Sequence, residues 1–332
     1  MQRFHQNRRN QAVRDACAET RLGAADLIPA LFVVEDENYL QAVPGLETTW
    51  HAGIKRLAEA LSPWFALGMD KVLLFGICPE EHKTPDGRAA WSADSLIARA
   101  VREIRTRFPA ISVITDVCLC AYTSHGHCGV LTAEDHQESC QIDNDATLPL
   151  LAAMAVCHAR AGAQWVAPSA MMDGQVQAIR QALDAAGFQA TRILGYSAKF
   201  ASALYGPFRG AAGSAPGLGD RASYQMDIRN GREALSEIAA DLAEGAAAVM
   251  VKPAVHYLDV IARARDKWPE ATIAAYHTSG EFMALRAAAQ AGVLDGRKAL
   301  HEQLTAIKRA GADWIITYGG AAWLKQAEEA RW

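Results

Sequence analysis

Two lysines set the chemistry open to this chain. Lys199 ends the run RILGYSAK that starts at Arg192, and Lys252 ends the run AAVMVK that starts at Ala247. Each follows an apolar stretch that reads as a β-strand, so each amine belongs at a strand end among apolar neighbours. Burial disfavours an ammonium and pushes a lysine toward its neutral amine. A neutral amine attacks a ketone and forms a Schiff base. One such lysine is often a stem packed on apolar surface with its charge in water; two in equivalent settings favour the reactive reading.

A second constellation is the segment DVCLCAYTSHGHCG from Asp116 to Gly129. Cys118 and Cys120 are two apart, and Cys128 follows a loop that holds two histidines. Thiolates bind zinc tightly, and three ligands with a fourth position open is the catalytic arrangement. His125 or His127 would close the site as a fourth ligand. Buried free cysteines packing as small hydrophobes is the alternative, and so tight a cluster beside two histidines speaks against it. Cys17, Cys78, Cys140 and Cys157 have no such company and read as structural.

Residues 206–230 are rich in glycine and predict a long loop of the kind that closes over an active site. They carry Arg209, Arg221, Tyr224 and Gln225. A guanidinium fork matches a carboxylate bidentately, so two arginines on a lid point to an anionic substrate. His277 and Glu281 are titratable but receive no role. Lys83 and Asp86 read as solvated turn residues.

The elements that must position these groups follow from a repeated pattern: a helical stretch, a glycine, then a short apolar strand. Gly68, Gly162, Gly245 and Gly311 take the glycine's place, where a helix end needs positive φ. Continuous apolar strands flanked by helices mark a parallel sheet covered on its outer face. Eight strands are predicted, at about 27–34, 71–76, 111–116, 164–168, 192–197, 247–251, 271–276 and 313–318. Helices are predicted at 148–161, 175–186, 232–243 and 297–310, among others. This alternation predicts an α/β fold of the (β/α)8 barrel type over residues 26–332, with residues 1–25 as an N-terminal arm. No Gly-x-Gly-x-x-Gly turn supports a doubly wound sheet. In such a barrel the strand ends meet at one mouth, here Asp116, Ser169, Lys199, Lys252, Ser279 and Tyr318.

The 332 residues are enough for one well-buried domain. A net charge of −4 gives no sign of a nucleic-acid partner, and no apolar run is long enough for a bilayer. The basic start has no hydrophobic segment behind it, so no secretory signal is expected. An odd count of seven cysteines, three of them clustered, suits a reducing cytoplasm.

Three segments resemble the porphobilinogen synthase family, also called 5-aminolevulinate dehydratase: YSAKFASALYGPFR from Tyr196, GDRASYQMD from Gly219 and VMVKPA from Val249. The cysteine segment resembles the zinc-binding version of the same family, and the resemblance runs from about Leu27 to Tyr318. It implies a barrel enzyme of tetrapyrrole (haem) biosynthesis that condenses two 5-aminolevulinate molecules into porphobilinogen, losing two waters. Lys252 would then hold the first substrate as a Schiff base and Lys199 the second. Cys118, Cys120 and Cys128 would hold zinc as a Lewis acid. Arg209, Arg221 and Gln225 would bind one substrate carboxylate, and Ser279 and Tyr318 the other. Asp116 and Ser169 would sit near the reacting amines, while Tyr205 and Tyr276 would line the site. Glu244 matches a position that binds regulatory magnesium in some members, and the arm and an octameric assembly are family features.

The chain departs from the usual family pattern at several points. Ala170 and Gln175 stand where an aspartate and an arginine are usual, and Ala247 where an aspartate is common. His277, Thr278, Gly319 and Gly320 also differ. These departures frame a second reading: a divergent relative that keeps zinc, forms little or no pyrrole, and acts on or senses another ligand.

Overall fold

The fold is seen in a computed structural model that describes residues 2–132, 141–217 and 219–329. Strands β1 (Leu27–Ile28), β2 (Ala30–Val33), β3 (Leu40–Val43), β4 (Leu46–Ala52), β5 (Lys71–Gly76) and β6 (Ser112–Val117) come first. They are followed by β7 (Trp165–Pro168), β8 (Arg192–Lys199), β9 (Ala248–Lys252), β10 (Thr272–His277) and β11 (Trp314–Thr317). The eight predicted strands are all present, and the sheet closes on itself. Leu27 and Ile28 pair in parallel with Ile315 and Ile316, while Ala30–Val33 pairs in parallel with β5. The predicted first strand is therefore one barrel strand split at Pro29, whose nitrogen has no proton to donate to a ladder.

The outer layer is α2 (Leu57–Ala66), α3 (Leu96–Arg107), α4 (Asn144–Ala161), α5 (Gln175–Ala185), α7 (Gly231–Ala243), α8 (Leu258–Lys267), α9 (Ser279–Gln290), α10 (Gly296–Arg309) and α11 (Gly320–Glu329). Asp143 caps α4 by accepting from the Ala146 N–H at 2.9 Å, and Asp295 caps α10 in the same way. Gly162 ends α4 at φ 107°, as the repeated glycine pattern requires. Strands β2, β5, β7 and β9 to β11 are buried along nearly their whole lengths, which accounts for their unbroken apolar runs. Ahead of the barrel, the arm carries the short helix α1 (Gln11–Ala16), capped by Asn10. Among the described residues no helix is long and apolar enough to cross a membrane.

Two features differ from expectation. An antiparallel hairpin, β3–β4, rises from the first strand, and β4 continues the sheet beside β2. The glycine-rich stretch is not all loop: it begins with helix α6 (Gly206–Ala211), which has Pro207 in its first turn, where proline costs no hydrogen bond.

The hairpin braces the barrel mouth. Thr48 donates from Oγ1 to the Tyr318 carbonyl at 2.8 Å, and His51 donates from Nε2 to the Ala211 carbonyl at 2.8 Å. Lys83, expected as a solvated turn residue, is a further correction. Its side chain is only 7% exposed, and its amine reaches the Gly213 carbonyl at 2.9 Å. The Gly213 carbonyl lies just past the end of α6, and the Lys83 amine, also paired with Glu80, ties it to the loop after β5.

Candidate active site

Lys199 and Lys252 are register partners on the neighbouring strands β8 and β9. Both are buried, at 5% exposure each. Their surroundings differ. The Lys252 amine lies over the ring of Tyr276 at 4.0 Å, with Phe208 at 5.0 Å and Tyr196 and Tyr205 at 5.2 Å. Burial, and then the Lys199 charge, pull its pKa down to about 7. The four ring faces attract the ammonium, but they supply no hydrogen-bond acceptor to replace lost water. Lys199 instead donates to the Ser169 carbonyl and has only Tyr196 near, at 5.7 Å.

Asp116 ends its strand in the same mouth. Burial pushes its carboxyl up to about 6, against the hydrogen bond from Ser169 and the charges of Lys199 and Lys252. One of its oxygens has no partner. The mouth thus holds one amine, Lys252, and one acid, Asp116, that change protonation near neutrality, as acid–base chemistry requires. Ser169 opens a turn in which Met171 takes φ 63°, a costly backbone for a side chain with a Cβ.

The three cysteines converge. Their sulfurs all lie within 4.8 Å of one another, and the Cys118 and Cys120 sulfurs are 3.4 Å apart. Ligand sulfurs on a tetrahedral zinc at about 2.3 Å would be about 3.8 Å apart, so the trio fits a metal ion with little adjustment. Hydrogen bonds from the Cys118 and Cys120 thiols hold the Cys128 thiol well below its usual range, aided by the Arg221 and Lys199 charges and opposed by burial. Neither histidine belongs to the cluster. His125 accepts the His127 N–H on Nδ1 at 3.1 Å and turns Nε2 to the Pro85 carbonyl at 3.2 Å. His127 meets the Tyr224 hydroxyl at 3.1 Å. The other described cysteines stay apart: Cys17 is exposed, and Cys78 and Cys157 are buried elsewhere. Cys140 lies outside the described residues.

The glycine-rich segment folds onto the cysteine loop. Arg221 is buried and donates to the carbonyls of Gly126, at 2.9 Å, and Ser214. Its Nε has no partner, nor do Nε of Arg209 and both side-chain polar atoms of Gln225. Buried polar groups without partners are costly, and the unpartnered N–H donors of Arg209, Arg221 and Gln225 suit an anion. Burial and the Arg221 charge lower the pKa of Arg209, which a bound carboxylate would reverse. Elsewhere in the site, the Tyr276 and Tyr318 hydroxyls meet at 2.9 Å, and Ser279 accepts the Phe208 N–H at 3.0 Å. Gly280 permits this approach, since a Cβ there would come within 2.5 Å of the Leu204 carbonyl. Tyr205 is buried and donates to the Phe200 carbonyl at 2.7 Å.

Glu244 is the residue after α7, in a region that Tyr196, Tyr224 and Gln225 also border. It accepts the Gln177 N–H at 3.1 Å and lines a cavity of about 880 Å³ with Glu233, Glu237 and Asp241 of α7. Burial pushes the Asp241 carboxyl up to about 7. Sequence reasoning assigned nothing to Phe208 and Tyr196 as walls of the Lys252 pocket. Only their place beside a lysine from another strand reveals them.

The departures from the family pattern are self-consistent. Ala170 and Gln175 are both buried, and they replace an acid and a base together, so neither leaves an uncompensated buried charge. Gly319 makes room for Leu300 and Phe282, each of which a Cβ would meet at 2.9 Å. His277 is buried between Thr317 and Gln303.

Comparison with known proteins agrees with this geometry. The family profile "Delta-aminolevulinic acid dehydratase" matches residues 1–326. The chain is 46% identical over 318 residues to the delta-aminolevulinic acid dehydratase of Escherichia coli K12, covering 96% of this chain and 95% of that one. It is 45% identical over 302 residues to the Bos taurus enzyme of the same name, covering 91% and 90%. The delta-aminolevulinic acid dehydratase of Toxoplasma gondii ME49, solved with its reaction product porphobilinogen, superposes with a TM-score of 0.93. That match has 38% identity and covers 98% of this chain and 91% of the other.

Proposed function

The chain belongs to the delta-aminolevulinic acid dehydratase family, and from that premise we propose how its own residues join two molecules of 5-aminolevulinate into porphobilinogen. The activity is that of the family: a lyase reaction that condenses two substrates and releases two waters. The observation that carries the reading is the pairing of Lys199 with Lys252 across adjacent strands. It holds two amines side by side at the mouth that also gathers the cysteine trio. The relatives of 46% and 45% identity named delta-aminolevulinic acid dehydratase, and the product-bound structure of that name, favour this reading over the divergent alternative.

In this reading the Lys252 amine, half neutral near pH 7, attacks the ketone carbon of the first substrate. The carbon–nitrogen double bond forms as the ketone oxygen leaves in water with the two amine protons. Lys199 does the same with the second substrate. Asp116, poised near neutrality and bonded to Ser169, carries protons between amine and departing oxygen. Arg209, Arg221 and Gln225 clamp one carboxylate. Ser279 and Tyr318 hold the other, with Tyr276 fixing the Tyr318 hydroxyl. Tyr205, Tyr196 and Phe208 exclude water around Lys252. A metal on Cys118, Cys120 and Cys128, zinc by donor set, supplies Lewis-acid polarisation of a substrate oxygen or amine.

The same reading takes Glu244 as a ligand for regulatory magnesium, residues 1–25 as an arm used in a homo-oligomer, residues 206–230 as a lid, and the cytoplasm as the compartment. Porphobilinogen formation from 5-aminolevulinate by the metal-loaded protein, with a chelated sample beside it, tests the core of the proposal. Absence of pyrrole from folded, zinc-replete protein would overturn it.

A further inference from the structure

Glu281 has a buried carboxylate that the reaction as described does not use. Its side chain is 1% exposed. It sits in the first turn of α9, and part of its bonding is an ordinary helix cap: Oε2 accepts the Thr278 N–H at 2.6 Å and the Thr278 hydroxyl at 2.8 Å. The cap does not explain the rest. Oε1 accepts the Val255 N–H at 2.6 Å, and Oε2 also faces the Ala254 N–H at 3.5 Å. Those two amides belong to the turn directly after Lys252, from a different strand and a different helix. An exposed His256 ring lies 3.9 Å from Oε1, and among the described residues no buried cation pairs with the carboxylate.

One carboxylate therefore joins two parts of the site. On one side it fixes the start of α9, which carries Ser279. On the other it fixes the chain as it leaves Lys252, whose own carbonyl is held by the Phe200 N–H at 2.9 Å and the Tyr205 hydroxyl at 3.1 Å. We propose that Glu281 is a positioning residue that sets the Lys252 amine relative to the carboxylate-binding end of α9. Among the described residues the hydrogen bonds of Glu281 go to Thr278, Ala254 and Val255 and none goes to the chain that leaves Lys199, so Lys199 receives no direct tie of this kind. The inference rests on Lys252 being a Schiff-base lysine and adds the group that aligns it. A buried carboxylate taking several backbone N–H bonds is a stiff tether, and a misplacement of about 1 Å costs on the order of a hundredfold in rate.

The test is borohydride trapping of 5-aminolevulinate on the full-length, metal-loaded protein, with the adduct at each lysine measured by peptide mass spectrometry. In Glu281→Gln the amide oxygen can serve only one side, and its NH2 faces an N–H on the other. The trapping rate at Lys252 should fall about 10- to 100-fold, while that at Lys199 stays within about twofold. Thr278→Val removes one bond to the carboxylate and should cause a smaller loss, again confined to Lys252. It also keeps the idea testable should Glu281→Gln fold poorly. Equal losses at both lysines would reduce Glu281 to a structural cap, and no loss at either would overturn the proposal. Absence of any adduct on the unmodified protein would instead refute the Schiff-base reading itself.

Discussion

The two lysines are neighbours by register, yet they occupy opposite kinds of pocket. Lys252 is enclosed by four aromatic rings, and desolvation dominates its protonation. Lys199 has a carbonyl acceptor on Ser169 and stands close enough to Cys128 for its charge to favour the thiolate. The first pocket withholds water from its amine. The second keeps its amine within reach of polar partners and the clustered cysteine sulfurs. The difference teaches that two identical side chains can hold separate duties when their walls come from different elements: β10 and α6 for Lys252, β7 and the cysteine loop for Lys199.

That contrast can be broken most sharply by removing each amine. Lys252→Ala should lower porphobilinogen formation on the order of 10⁵-fold, the scale of effective molarities for positioned groups, while an adduct remains trappable at Lys199. Lys199→Ala should also stop product formation but leave the Lys252 adduct intact. Loss of both adducts in either variant would mean that the pockets are not independent.

Metal removal should divide them next. Chelation should cost about 10³-fold in product, in line with several kcal/mol of Lewis-acid stabilisation, and zinc should restore it. Trapping at Lys252 should survive chelation, because its cage is built of the rings of Tyr196, Tyr205, Phe208 and Tyr276; its collapse would tie the aromatic pocket to the metal.

Arg221→Lys keeps a charge but removes the fork that reaches Gly126 and Ser214. KM for 5-aminolevulinate should rise about 10- to 100-fold, with kcat changed less. An unchanged KM would remove Arg221 from carboxylate binding.

A pH series comes next in size. The Lys252 pKa is depressed to about 7, so its neutral, reactive fraction grows as pH rises through 7. Trapping at Lys252 should increase about tenfold from pH 6 to pH 8 and then level off. The same depression gives a linkage of matching sign: the unfolded chain binds the extra proton between about pH 7 and the usual lysine range, so this group's contribution to stability improves with rising pH across that window. A flat profile would show that the cage does not desolvate the amine.

The smallest effect belongs to Tyr276→Phe, which removes the bond to Tyr318 but keeps the ring face over Lys252. A loss of about threefold in kcat/KM is expected, with the trapping pH profile unmoved. A shifted profile would give the hydroxyl, rather than the ring, control of the amine.

Much of this arrangement is legible in one dimension. The eight barrel strands announce themselves because a strand buried on both faces must be apolar throughout. The helix ends show as glycines because only glycine reaches positive φ without cost. Lys199, Lys252 and the cysteine trio stand out because charged or thiol groups beside such strands are rare and spaced locally. The hairpin β3–β4 is not legible: LQAV and LETTWHA carry no strong alternation, and their pairing depends on β2, which holds β4 in place. Helix α6 is obscured by its own glycines and proline, and Lys83 by a polar loop that hides its distant acceptor at Gly213.

What the chain's order of residues determined alone is thus the barrel repeat and the identity of the reactive groups, since both follow from local patterns of burial and from chemical type. What only the tertiary structure decided is how those groups differ from one another. The cage around Lys252, the joining of the glycine-rich segment to the cysteine loop and the reach of Glu281 to two separate elements each depend on contacts between residues far apart in the chain. Desolvation and hydrogen bonding act through space, so a pKa or an alignment belongs to the folded neighbourhood and is written at no single position.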